Sequence, residues 1–242
     1  MQAGASVRTS WDEIHIVLTR CYLVTVKNVP QDTTLFSIPR EAIINVETSD
    51  LPKKLPGVFG EPEEDGDEDD DSEPLDSWGS LILIMVYEHL QGEASRWKPY
   101  LDILPQTFET PIFWTEDELK ELQGTCLTEE KIGRKESDEI LRSRILPVVM
   151  QHADVFYPEG AHQLSEDELL SFAHRMGSTI MAYAFDLDDE KADSDDEEEG
   201  WVVDRDGKSM LGMVPMADIL NADAEFNVSL SSRVLLLILL TI

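Results

Sequence analysis

Hydrophobic positions recur at two different periods along this chain, and the change of period divides it. From Ile14 to Glu47, short β-branched runs (IHIVL, CYLVTV, TLFSI, AIINVE) are separated by turn signals at Asn28–Asp32 and at Pro39. That pattern predicts several short strands. Residues 48–77 are rich in Pro, Gly and acid and predict a loop without regular structure. From Trp78 to about Gln91 the chain is apolar almost throughout, with Asp76 or Ser77 placed to cap it, which predicts a helix buried on most sides. Thr115–Glu118 and Ser165–Glu168 have the spacing of capping boxes. Between them Ile132, Ile140, Leu141, Ile145, Val148 and Val149 predict a helix over about Thr128–His152, kinked or broken at Pro147. After Ser165, residues Leu169, Phe172, Ala173, Met176 and Ile180 fall on one helical face. Trp201–Val203 and Leu211–Val214 read as strands flanking a turn at Asp204–Gly207. The last stretch, SLSSRVLLLILLTI, has no period that places it.

Charge narrows the partners. The net charge is −31, of which Glu61–Glu73 and Asp188–Glu199 supply −18, so the rest of the chain is acidic as well. Such a surface repels nucleic acid and anionic lipid and attracts basic proteins. The two cysteines, Cys21 and Cys126, have no metal spacing and suggest no disulfide framework, as expected of a reducing compartment, cytosol or nucleus. The five histidines share no metal-binding spacing, and no nucleotide-binding glycine motif or nucleophile elbow is present. The apolar run Val234–Leu240 is far short of the roughly 20 residues that span a bilayer.

The run most suggestive of chemistry is Gly212–Asn227, GMVPMADILNADAEFN. It begins apolar, breaks at Pro215, and continues with small residues among Asp218, Asn221, Asp223 and Asn227. Small side chains let a ligand approach the backbone, and Asn and Asp hydrogen-bond from turns. Read from composition, the run is a short strand entering a turn or a one-turn helix.

PMADILNADAEFN resembles the Pro-x-Ala-Asp-x-x-Asn-His/Ala segment of SET-domain protein-lysine methyltransferases, in the branch with the Rubisco large-subunit, fungal ribosomal-lysine and SETD6-type enzymes. VPQDTTLFSIPREAIIN is similar to the opening of that SET domain, and the stretch from Trp78 to Thr125 resembles its helical insert. HRMGSTIMAYAFDL is similar to the segment that re-enters the SET core, with Ala184 where Ser is common. The resemblance covers roughly residues 30–227.

The resemblance implies an α+β SET domain of short strands split by a mainly helical insert and incomplete at its C-terminus. Its parts would be 14–50 (N-terminal SET), 51–77 (acidic loop), 78–180 (insert), 181–228 (C-terminal SET, with an acidic loop at 186–200) and 229–242 (a tail without family counterpart). It implies methyl transfer from S-adenosylmethionine to a lysine of a basic, lysine-rich protein, a ribosomal protein by branch, in the nucleus or cytoplasm, by a monomer that binds no metal, nucleic acid or membrane. Asn221, Ala222 and Asp218 would hold the donor; Tyr183 and Phe185 would wall the lysine channel. Two family features have no counterpart. The Gly-rich donor loop is replaced by Arg20-Cys21-Tyr22, and no Tyr follows Tyr183 to act as the catalytic tyrosine. A truncated or mis-joined gene product is therefore expected, with no catalytic residue assigned. The alternatives left open are an inactive acidic module that binds basic proteins and an acidic chaperone.

Overall fold

The structure, a computed structural model, describes residues 14–18, 21–25, 33–59, 75–187, 210–219, 228–233 and 235–240. The chain divides into a discontinuous unit (residues 1–48 and 183–242) and a continuous one (residues 49–182).

The discontinuous unit holds the strands. β1 (Ile14–Leu18) and β2 (Cys21–Thr25) form an antiparallel hairpin, with Leu18 opposite Cys21. β3 (Thr33–Pro39) buries alternate side chains, Phe36 and Ile38, as a two-residue period requires. The sequence continues through a one-turn 3₁₀ helix (Arg40–Ala42) to Ile43 and Ile44.

The continuous unit is helical. α1 (Leu51–Lys54) and α2 (Pro56–Phe59) lie where a structureless loop was expected; Leu51 and Leu55 are buried, and that burial offsets the weak helix propensity of a Pro- and Gly-containing stretch. α3 (Ser77–Leu90) is capped by Asp76, whose carboxylate accepts the Gly79 N–H at 2.7 Å, and every residue from Gly79 to Glu88 is buried. α4 (Lys98–Leu101) and α5 (Glu116–Lys120) follow. The capping box on α5 is formed: Thr115 Oγ1 accepts the Glu118 N–H, and the Glu118 carboxylate accepts the Thr115 N–H at 2.7 Å.

The helix expected over 128–152 is broken twice. α6 (Glu129–Ile132) ends at Gly133, which takes a left-handed φ of 71°. α7 (Arg134–Ile140) then runs into a π-helical turn, Leu141–Ile145, before α8 (Leu146–Gln151). Pro147 has no N–H for the Ser143 carbonyl and its ring would crowd that carbonyl, so the hydrogen-bond ladder widens just ahead of it. α9 (Ala153–Phe156) precedes α10 (Glu166–Tyr183), whose Ser165–Glu168 box is also formed. Leu169, Ala173, Met176 and Ile180 of α10 are buried, as are Leu141, Ile145, Leu146, Val149 and Phe156.

The chain then returns to the first unit. β4 (Ala184–Leu187) pairs antiparallel with β5 (Met210–Met213), Phe185 facing Gly212 across the ladder. Ile44 bridges the other side of β5 through two backbone hydrogen bonds with Met213, at 2.9 and 3.0 Å. β6 (Val228–Arg233) and β7 (Leu235–Leu240) form a hairpin, and β7 also pairs with β3, giving the order β3-β7-β6. The final stretch, in which no period was legible, is thus two strands.

Candidate functional site

The run around Pro215 sits at the end of β5, against the core of the strand unit. Phe36, Ile38, Ile43, Val214 and Ala217 form that core, with Ala42, Phe185, Leu187 and Met216 partly buried against it. The core needs Gly212: a Cβ there would lie 2.6 Å from Leu187 Cδ1 and 3.0 Å from Ile43 Cγ2. Beside it, Asn45 ties the preceding turn. Its Oδ1 accepts the backbone N–H groups of Glu47 and Thr48, both at 3.1 Å, and Thr48 Oγ1 donates to the Ile43 carbonyl at 2.6 Å. These bonds hold Ile43 and Ile44 where they meet β5.

β5 stops because Pro215 cannot donate to a ladder. Met216 then takes a positive φ of 77°, a conformation a side chain adopts at a cost of about 1–2 kcal/mol unless its surroundings over-determine it. Here Met216 is packed on the core while Ala217 N–H bonds to the Val214 carbonyl at 3.1 Å. The strained residue turns the chain into a one-turn 3₁₀ helix, Ala217–Ile219. The turn matches the sequence reading of a strand that breaks into a single helical turn.

The candidate residues fall as follows. Asp218 lies in the 3₁₀ turn, half-buried, with its Oδ1 shielded from solvent. Asn221 and Ala222 lie outside the described residues. Tyr183 is the last residue of α10 and half-buried. Phe185, two residues on in β4, packs on the same core as Val214, Met216 and Ala217. The fold therefore brings Phe185 and the residues just before Asp218 to one cluster, although they are about thirty positions apart. Of the stretch expected in place of the Gly-rich loop, Cys21 and Tyr22 belong to β2, and Arg20 lies outside the described residues.

The helical unit contains polar groups that motif reasoning did not single out. Glu88 is buried in α3 and accepts hydrogen bonds from Ser49 Oγ at 2.8 Å and Ser95 Oγ at 2.7 Å. Burial pushes its carboxyl above the ordinary range, with the two serine bonds pulling the other way. The signal was present in the sequence: a helix apolar on all sides leaves its one acid no face toward water. His89, beside it, is pushed down to about 4 by burial first and then by the charge of Arg175. Its Nδ1 hydrogen-bonds the Met85 carbonyl at 3.2 Å.

No family model matches the chain. Among curated proteins it is similar to "Ribosomal lysine N-methyltransferase 4" of Saccharomyces cerevisiae, with 31% identity over 209 residues covering 84% of this chain and 39% of the relative. It is also similar to "N-lysine methyltransferase setd6" of Danio rerio, with 32% identity over 209 residues covering 84% of this chain and 40% of the relative. The chain thus spans about two-fifths of the length of the curated relatives it matches. In fold it resembles Rubisco LSMT bound to AdoMet, at a TM-score of 0.59 and 22% identity over 94% of this chain and 44% of that one. It likewise resembles the SET domain of LSMT bound to lysine and AdoHcy, at a TM-score of 0.59 over 99% of this chain and 47% of that one. A likeness at 22% identity shows the fold, and the curated relatives add the lineage: the chain is a homologue of the SET-domain protein-lysine N-methyltransferases of the ribosomal-lysine and SETD6 type.

Proposed function

We propose that this chain carries the SET portion of a protein-lysine N-methyltransferase that uses S-adenosylmethionine. The observation that carries the reading is the 31% identity to a ribosomal lysine methyltransferase over 209 residues. The turn after β5 fits such a donor. Asp218, half-buried in that turn, places a carboxylate near the apolar Val214 and Ala217, and a carboxylate suits the hydroxyl and ammonium groups of S-adenosylmethionine. Asn221 and Ala222 continue the same run and are assigned to the donor with Asp218.

Held by Asp218, Asn221 and Ala222, S-adenosylmethionine would supply an electrophilic methyl group for the lysine amine and would leave as the neutral thioether. The chain's task is to align the amine and keep it neutral, against an unperturbed lysine pKa of about 10.4. Apolar walls do the second by desolvation, and Phe185 and Tyr183 are assigned that role. The acidic chain draws a basic partner to the site, and a ribosomal protein fits that sign. On this reading the protein works as a monomer in the nucleus or cytoplasm.

The test is calorimetric titration of the full chain with S-adenosylmethionine, beside transfer of tritiated methyl groups to a mixture of ribosomal proteins. Saturable donor binding, weakened roughly tenfold in Asp218→Ala, and label on a basic protein are expected. Absence of both donor binding and transfer by the folded chain would overturn the reading and leave the acidic interaction module in its place.

A further inference from the structure

A groove of about 450 Å³ crosses the helical unit, bounded by α10 on one side and by Gln106–Phe108 and Phe113 on the other. Glu168, Ser171, Phe172 and Arg175 are spaced at i, i+3, i+4 and i+7 and line it from one face of α10. Phe108 and Phe113 stack with their ring centres 6.0 Å apart and an interplanar angle of 18°. At the far end the Arg175 guanidinium lies 4.9 Å from the centre of the Phe172 ring and donates to Gln106 Oε1.

Arg175 is unusual for its surroundings. The chain has 50 acidic residues and 19 basic ones, so a base that needs a carboxylate has many to choose from. Arg142 pairs with both Glu166 and Asp167. Arg175 is half-buried, and among the described residues no carboxylate pairs with it. The groups around it do not supply a counter-charge. Gln106 and Phe172 are neutral, and His89, edge-on to Phe172 at 5.5 Å, is uncharged near neutral pH. Asp102, whose field reaches His89, is bonded to Lys98 at 2.6 Å. Glu168 is engaged at the start of α10 by the Ser165 N–H and hydroxyl, and it stands two helical turns from Arg175, about 10 Å along the axis. A partly desolvated guanidinium of this kind is left with capacity for a bidentate anion.

We propose that this groove docks an extended peptide of a partner protein, seating a carboxylate side chain on Arg175 and an aromatic or aliphatic side chain between Phe108, Phe113 and Phe172. The exposed Thr107 and Ser171 at the rim offer hydroxyls to the peptide backbone. About 10 Å of groove between Glu168 and Arg175 accommodates three residues of extended chain. Charge complementarity gives the site its selectivity. The overall field of an acidic protein attracts basic partners, whereas this groove accepts an acid, so a basic protein with one acid beside an apolar residue binds in a single register. Such docking is independent of whether the chain transfers methyl groups.

The test uses an immobilised array of N-acetylated hexapeptide amides in which one position is Glu, Gln or Lys and the position two before it is Phe, Leu or Ser. The array is probed with the full chain and with Arg175→Gln, Thr107→Trp and Phe108→Ala. Thr107 is exposed, so Thr107→Trp fills the groove without disturbing a buried contact, and far-ultraviolet circular dichroism checks each fold. The wild type is expected to retain Glu-plus-Phe or Glu-plus-Leu peptides roughly tenfold better than their Gln counterparts at low salt. Arg175→Gln should erase the Glu-over-Gln preference, Phe108→Ala the apolar preference, and Thr107→Trp both. Equal retention of Glu and Gln peptides by the wild type would overturn the proposal. So would a preference for Glu that survives in folded Arg175→Gln, or selection of Lys peptides alone.

Discussion

Glu88 makes a sharp test of how the helical unit is held together. The residue is 4% exposed and its carboxylate is bonded to two serine hydroxyls from separate segments, so it ties Ser49 and Ser95 to α3. Each hydrogen bond to the charged group is worth about 1.5–3 kcal/mol, yet taking a carboxylate out of water costs several kcal/mol before relaxation. The raised carboxyl pKa says that the cost of burial outweighs the bonds to the charged form. A carboxyl whose folded pKa lies above the ordinary 4.5 binds its proton more tightly when folded, so stability is full below 4.5 and declines as pH rises toward the folded value. Glu88→Gln keeps the shape and one acceptor, and a serine hydroxyl can turn to accept from the amide. We expect it to be neutral or stabilising by about 1 kcal/mol at pH 7. Glu88→Ala removes both acceptors, leaves two buried hydroxyls and opens a cavity, and should cost about 3 kcal/mol. The assay is the urea midpoint followed by tryptophan fluorescence, since Trp78 and the buried Trp97 report on this unit. If Glu88→Gln were as damaging as Glu88→Ala at pH 7, the buried charge itself would be the stabilising element and the reasoning would fail.

His89 titrates against Glu88. A histidine held at about 4 when folded, against 6.5 when unfolded, loses stability as pH falls from 6.5 toward 4, by about 3 kcal/mol at most. The two effects oppose each other just above 4.5, so Glu88→Gln should steepen the acid limb of the urea midpoint and His89→Leu should flatten it. Gly212→Ala places its Cβ 2.6 Å from Leu187 Cδ1 with the Ile44 carbonyl 3.5 Å away, and should lower stability of the strand unit by about 1–3 kcal/mol, read by amide hydrogen exchange at β4 and β5. Gly177→Ala sets about 1 kcal/mol of helix propensity against a Cβ 2.9 Å from Trp78 Cζ2. The packing penalty is expected to win, and a rise in thermal midpoint would show that Trp78 can move aside.

What the sequence revealed depended on how local the cause was. Asp76, Thr115 and Ser165 act within four residues, and their caps are where the spacing put them. Pro147 breaks its helix for a reason contained in one side chain. The α1 and α2 turns were hidden because their propensity is poor and their support, the burial of Leu51 and Leu55, is tertiary. β7 was hidden because an all-apolar run has no alternation to read, and its partner β3 lies some two hundred residues away. The run at Pro215 was legible as a turn with candidate chemistry, but Phe185 joins its neighbours only through the β4–β5 ladder. The aromatic groove was illegible for the same reason, since its walls are separated by about fifty residues of chain.

The pairing of β3 with β7 bears on how the protein is made. The helical unit is one uninterrupted stretch, 49–182, and can fold as soon as it leaves the ribosome. β3 is synthesised earlier but must wait for a partner encoded about two hundred residues later. At 5–20 residues per second, the interval between the end of β3 and the end of β7 is about 10–40 s, long compared with the folding of a helical segment. During that time β3 is an open edge in a nascent chain. A slowly translated message anywhere between β3 and β7 should therefore lower the yield of soluble protein, whereas the same change upstream of β3 should not.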